Sequence, residues 1–341
     1  MTTLLVQADR LLDNLCTIQK KVGKTALIPV LEGNAYGLGD VQAAGELARS
    51  GVGLIAVSRL EEAERILAHV GGVDVLLLSS YATEAEAERI VSAGILATVG
   101  SNDSAVLLSG MARALGKTAR VHIRFDLGAA ESGFLPEEAA KAAQTVKYLT
   151  DITVCGVYAQ FHKATSPKRA QLQLTRFMDA LSVLRREEIS YGVTHIAGSL
   201  EAVKFPFARL DAVRVGEELT GRTGDAEKLG LKKIGRLASN VCDVRWVPAK
   251  YPLQGGGKTS RASRLATIPV GTADGAFLRE KKPAFGGFTC EIGGKRVPIV
   301  GRAGYTCVMA DVTGIDCKAG DRVYFDVSPA YVNAEMRRDY V

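Results

Sequence analysis

From Val30 to Gly39 the chain reads Val-Leu-Glu-Gly-Asn-Ala-Tyr-Gly-Leu-Gly, an apolar strand running into a glycine-flanked turn that carries one acid, Glu32, and one polar aromatic, Tyr36. A tyrosine there either reaches an anion at the strand ends or caps the strands beneath it. Glu32 is a carboxylate base in reserve. Set beside Glu131 and Arg124 it would form a pair of acids with split pKa values, one giving a proton while the other takes it. The simpler role for Glu32 is an ion pair with Arg302 or Arg214. His195 opens the run His-Ile-Ala-Gly-Ser that ends at Ser199, and a lone histidine by a strand suits a hydrogen-bonded core imidazole. His162 and Lys163 follow another strand, where a charged residue suits a solvated loop. The six cysteines are scattered, with no C-x-x-C and no histidine spaced to complete a zinc site. They are expected to be reduced thiols, mostly buried.

These residues need strands to hold them. Eight apolar, β-branched runs supply candidates: Ala26 to Leu31, Leu54 to Val57, Val73 to Leu78, Ile95 to Val99, Val121 to Phe125, Thr153 to Tyr158, Val193 to Ala197 and Ala212 to Val215. Between them, stretches such as Val41 to Ser50, Leu60 to Val70, Glu84 to Ala93 and Pro136 to Leu149 repeat apolar residues every three and four positions, as amphipathic helices do. Alternating near-continuous apolar strands with helices implies a parallel sheet covered by helices, and eight units imply a (β/α)8 barrel, whose chemistry belongs in the loops after the strands. After Gly221 the texture changes to short strands separated by Gly and Asp, which predicts an antiparallel β domain. The expected division is a barrel over 1–225 and a β domain over 226–341.

Composition narrows the partners. With 47% hydrophobic and 23% charged residues, and a net charge of +6 spread among interspersed acids and bases, the chain lacks the basic stripe of a nucleic-acid binder. No apolar run reaches bilayer length, and the Met-Thr-Thr-Leu-Leu start carries no basic region. The expectation is a cytoplasmic protein with a small-molecule ligand, binding neither nucleic acid nor membrane.

Four segments in order now give a specific likeness. Asn34-Ala35-Tyr36-Gly37 after the first strand, Arg214-Val215-Gly216 at the eighth, Ile268 to Gly275 in the β domain and Pro298 to Arg302 beyond it together resemble alanine racemase. The resemblance runs from Thr25 to Asp311 and implies a barrel, a β domain, pyridoxal phosphate (PLP) as cofactor and a head-to-tail homodimer. It also implies roles: Tyr36, Ser199 and the backbone at Gly216 for the cofactor phosphate, and Arg214 for the pyridine nitrogen. Hydroxyls and amides at a barrel mouth suit a dianion. The segment that supplies a further phosphate-binding tyrosine in that family is shortened here, with Gly320 to Val327 leading directly into Ser328 to Val341.

Set against that family, five places differ. Its V-K-A-N-A-Y-G carries the lysine that forms the Schiff base, and here the position is Glu32, which cannot condense with an aldehyde. The second base, a tyrosine in G-Y-A-D-G, is Thr272, whose hydroxyl is too weak an acid for the task. The supporting imidazole of T-H-F-A becomes Gln160, and C-M-D becomes Gly304-Tyr305-Thr306. Finally, in K-V-D-T-G-M-G-R the lysine, which that family often carries as a negative carbamate, becomes Arg124 and the arginine becomes Glu131, a pair reversed in sign that reads as a rebuilt site, because an unpaired buried charge would cost about 3–5 kcal/mol.

The expected function is therefore a non-racemising binding protein or repurposed enzyme, with PLP non-covalent or absent and a phosphorylated ligand in the surviving cradle. The alternative is an alanine or serine racemase that uses a non-standard lysine, Lys163 being the candidate by location.

Overall fold

The computed structural model describes residues 2–277 and 288–341. The chain divides into two compact units. One comprises Leu12–Ala35 and Asp40–Leu231; the other comprises Met1–Leu11, Tyr36–Gly39 and Lys232–Val341.

The first strand, β1 (Thr3–Val6), precedes the barrel, which is built from β2 (Ala26–Pro29), β3 (Leu54–Val57), β4 (Asp74–Leu77), β5 (Leu96–Val99), β6 (Ala119–Phe125), β7 (Ile152–Ala159), β8 (Val193–Gly198) and β9 (Ala212–Val215). All neighbours pair in parallel in the order β2-β9-β8-β7-β6-β5-β4-β3. A bridge between Val30 and Ala56, with the Leu31 N–H donating to the Ala56 carbonyl at 2.8 Å, closes the ring between β2 and β3. Ile28, Val30, Ala56, Leu76, Leu96 and Ala212 form a buried cluster drawn from its strands. The sequence-predicted strands all appear. They read clearly because a strand covered on both faces is apolar at nearly every position.

Helices join the strands with explicit end signals. Thr83 caps Glu84–Ala93 through a reciprocal bond with Glu86, and Gly94 closes that helix in the left-handed region. Ser101 caps Asn102–Ala114.

The other unit is a nine-stranded sheet. Its further strands are β10 (Arg236–Asn240), β11 (Asp243–Val247), β12 (Ser263–Ile268), β13 (Thr289–Ile292), β14 (Lys295–Val300), β15 (Val308–Asp311), β16 (Arg322–Asp326) and β17 (Arg338–Tyr340), in the order β11-β12-β15-β14-β13-β16-β10-β1-β17. Pairing is antiparallel except between β1 and β17. The expected division at 225 thus differs from the contacts: β1, placed in the barrel domain by order along the chain, pairs with β10 and β17. Its inward residues Leu4 and Val6 are fully buried. The cysteines also differ from expectation. All six are free thiols, but only Cys290 and Cys317 are buried, while Cys16 and Cys242 are exposed.

Candidate functional site

The C-terminal ends of the barrel strands collect the polar side chains. Glu32 follows β2, and Ser58, just past β3, donates to Glu32 Oε2 at 2.6 Å. The turn after Glu32 is unusual: Gly33, Asn34, Ala35, Tyr36 and Gly37 all have φ between +53° and +83°. Asn34, Ala35 and Tyr36 each carry a left-handed backbone that costs an L-residue about 1–2 kcal/mol. Specific bonds hold it there. The Asn34 N–H donates to Glu62 Oε1 at 3.0 Å, the Asp40 N–H donates to Asn34 Oδ1 at 3.0 Å, and the Ala35 N–H donates to the Leu31 carbonyl at 2.9 Å. Glu62 is buried, and Asp40 is in turn bound by Arg65 at 2.5 Å. Strain held by surrounding bonds is characteristic of functional turns.

On the opposite wall, Arg124 of β6 and Glu131 form an ion pair, with Arg124 also donating to Ser132 Oγ at 3.0 Å. The loop geometry brings them together. The Asp126 N–H and Phe134 carbonyl, and the Phe134 N–H and Arg124 carbonyl, bond at 2.9 Å each, so residues 126–134 fold back along the strand end. Gly133 allows this, since a Cβ there would lie 2.8 Å from the Asp126 nitrogen. Arg124 is 9% exposed, whereas the Glu131 side chain is 55% exposed. Arg124 and Glu131 are therefore paired with each other. Glu32 and Glu131 are not neighbours around the ring: β2 and β6 are four strands apart in either direction. The side-by-side carboxylate pair considered from the sequence has, instead, each acid bound to its own donor.

Between these walls lies a buried polar chain that the residue motifs did not reveal. Tyr158 of β7 shares a 2.9 Å hydrogen bond with Thr98, stacks on His195 with ring centroids 4.9 Å apart, and has the Arg124 and Arg214 guanidiniums 5.8 and 5.4 Å from its ring centre. Arg214 donates to His195 Nδ1 at 2.6 Å and to the carbonyls of Ala159 and Ile196 at 3.0 and 3.2 Å. Since arginine only donates, the His195 proton must sit on Nε2, which then donates to His122 Nδ1 at 3.2 Å. Burial, followed by the Arg214 charge, lowers His122 to about 4 and holds His195 well below the ordinary imidazole value. Both rings are neutral. Burial likewise lowers Arg214 to about 10, which leaves it charged at neutral pH. His195 is thus the bonded core histidine expected of it. Arg214, considered from the sequence as an ion-pair partner for Glu32, directs these three hydrogen bonds to the imidazole and the main chain.

Ser199 directly follows β8 and is 2% exposed, and its Oγ has no hydrogen-bond partner. Gly216 follows β9 and opens the turn Glu217–Thr220. In the β unit, the Gly271–Gly275 turn is fastened to the Gly304–Tyr305 segment. The Thr272 and Ala273 N–H groups donate to the Gly304 and Tyr305 carbonyls at 3.0 and 2.9 Å, and a Cβ on Gly271 would fall 2.2 Å from the Tyr305 oxygen. The Tyr305 side chain is exposed. Tyr340, on β17, donates to the Leu38 carbonyl at 3.3 Å, just beyond Tyr36; its distance along the chain hid this from sequence reading. Gln160 and Lys163 are exposed. Among the described residues no group of three or more His, Cys, Asp or Glu is placed to hold a metal ion.

This arrangement fits PLP only in part. An unsatisfied buried hydroxyl at Ser199 suits a phosphate oxygen. The carboxylate of Glu32 does not suit an aldehyde: it has neither an amine to condense nor a proton to donate while ionised.

Comparison with known proteins supplies the lineage. The profile of the alanine racemase N-terminal domain matches residues 6–223, and that of the C-terminal domain matches 234–335. Alanine racemase from Desulfovibrio desulfuricans is 32% identical over 88% of this chain and 81% of its own. That from Clostridium novyi is 28% identical over 93% and 84%. The fold of a Clostridium difficile alanine racemase superposes with a TM-score of 0.89 at 24% identity, covering all of this chain and 95% of that one. A structure from Bartonella henselae, described with covalently bound pyridoxal phosphate, gives 0.79 at 21% identity, over 100% and 99%. Two matching profiles that together span nearly the whole length establish that this chain belongs to the alanine racemase family.

Proposed function

We propose that this family member does not racemise amino acids through PLP linked to the lysine position after β2, and that its barrel mouth instead binds a small phosphorylated ligand without a covalent bond. Glu32 is the observation that carries this reading. It is an acid where the family's motif has the Schiff-base lysine, held by Ser58 at the end of β2. Thr272 at the second base position and Glu131 at the position that meets the substrate carboxylate point the same way. The unpartnered Ser199 hydroxyl and the buried Arg214 cation supply the anion-binding side.

A second reading has its own support. The relatives named above carry the name alanine racemase, which favours a racemase using another lysine such as Lys163. Exchange of the α-proton of alanine and serine in deuterated buffer with added PLP separates the two. The proposal expects no exchange above the protein-free control, together with a rise in melting temperature on adding phosphate esters. Turnover of either amino acid would overturn it. Restoring only the bases, in the double variant Glu32→Lys with Thr272→Tyr, is expected to leave exchange undetectable, because Glu131 still opposes the substrate carboxylate. Full exchange in that variant would show Glu131 to have no such effect.

A further inference from the structure

We propose that the N-terminal end of the barrel holds a second binding site, for an uncharged apolar small molecule, in a cavity that reaches from the barrel core to the helix Ala8–Val22. The site lies at the opposite end of the strands from Glu32 and Ser199 and stands whatever the mouth binds.

The strand starts place it. Ala26, Leu54, Val193 and Ala212, the first residues of β2, β3, β8 and β9, all line one cavity of about 530 Å³. The first residues of parallel strands share one end, and in a barrel that end is the one away from the chemistry. Leu12, Leu15 and Cys16 of the helix form a second wall, and the 50–53 segment leading into β3 forms a third. All of these residues belong to the barrel unit.

Size and lining decide what fits. A well-packed interior leaves few voids larger than a water molecule, whereas this cavity falls in the range of small-molecule sites, about 300–1,000 Å³. Its depth is the barrel core. Ile28 and Ala212 belong to the buried cluster, and Leu54 and Val193 pack against that cluster while still partly exposed. Leu12, Leu27 and Val52 are likewise half-buried, so apolar surface faces the hollow from every wall.

The polar groups at the cavity are already engaged. The Gln19 side-chain amide donates to the Gly23 and Thr25 carbonyls at 2.6 and 2.9 Å, and the Ser50 hydroxyl donates to the Leu47 carbonyl at 2.7 Å. The N–H groups of Ser50, Gly51 and Val52 bond to carbonyls at the end of the preceding helix. Among the described lining residues none is charged. A charged ligand would lose its hydration there with nothing to replace it, whereas an uncharged ring system or alkyl chain is driven in by the apolar area that both sides bury.

Cys16 supplies the reporter. Its thiol is exposed at the cavity, and the exposed Cys242, in the other unit, is the internal control. The full chain is labelled with N-ethylmaleimide, and peptide mass spectrometry follows the rate at each cysteine while one of two probes is titrated in. The first is uncharged N-phenyl-1-naphthylamine; the second, 1-anilinonaphthalene-8-sulfonate, has the same rings and one negative charge. At ten times its dissociation constant the uncharged probe is expected to slow labelling of Cys16 about tenfold by mass action, and to leave Cys242 unchanged. The sulfonate is expected to need a concentration about tenfold higher or more for the same protection. Ala26→Phe, which sets a ring at the cavity wall, is expected to remove the protection. Labelling of Cys16 that ignores the uncharged probe, equal protection by both probes, or protection that persists in Ala26→Phe would overturn the assignment. The two arms on the wild-type chain decide it by themselves if that variant does not fold.

Discussion

Arg124 and Glu131 show how a charge reversal is accommodated. The guanidinium is buried and its partner is half exposed, so the pair is neither a solvated surface bridge, worth little, nor a fully buried one whose desolvation would dominate. Removing only the acid, in Glu131→Gln, leaves a buried cation, and a loss of about 1–2 kcal/mol in urea unfolding is expected. Replacing both, in Arg124→Leu with Glu131→Gln, is expected to recover at least half of that loss; a double variant as unstable as the sum of the single ones would refute coupling between the residues. Both positions were legible in the sequence because the flanking Asp-Leu-Gly pattern fixed their alignment. Tyr158 was not. It reads as one more β-branched-strand neighbour in Val-Tyr-Ala, and only the ring of strands brings Thr98, His195 and two arginines around it.

Among the elements, β7 makes room for a side chain from its neighbour. A Cβ on Gly156 would lie 2.6 Å from His122 Cε1 and 2.7 Å from the Val193 carbonyl. The glycine therefore opens the space into which the His122 ring fits, and the pairing of β6 with β7 shifts register at Val121/His122. Gly156→Ala is expected to cost about 1–3 kcal/mol through overpacking, read as a lower urea midpoint with an unchanged slope. A neutral effect would mean that His122 can move aside freely. The barrel strands were legible from their apolar runs, whereas β1, β10, β11 and β17 were not. β11 lies at an edge of its sheet with Arg245 and Trp246 exposed, so its residues show little of the hydrophobic pattern that marks a strand. β1 and β17 meet only through long-range pairing, which no local spacing records. The left-handed turn after β2 was visible only as flanking glycines; that Asn34, Ala35 and Tyr36 share its backbone follows from bonds to Glu62 and Asp40.

Across the whole molecule, the buried imidazoles tie stability to pH. His122 falls to about 4 in the folded chain from about 6.5 unfolded, and His195 shifts in the same direction. The unfolded chain binds more protons between those values, so the stability due to neutral burial is complete above about pH 6.5 and is lost as pH falls toward 4. Melting temperatures are expected to drop between pH 7 and pH 5, with a shallower drop in His122→Gln; an identical slope in that variant would place the effect elsewhere. At this scale the family and its fold were legible in four spaced motifs, while the proposed departure from the family's chemistry rests on single residues within them. Covalent trapping tests the central claim most directly: incubate the full chain with PLP, reduce with borohydride and digest for mass spectrometry. The account predicts no stoichiometric pyridoxyl-lysine at any position, and one lysine modified to completion, at Lys163 or elsewhere, would contradict it.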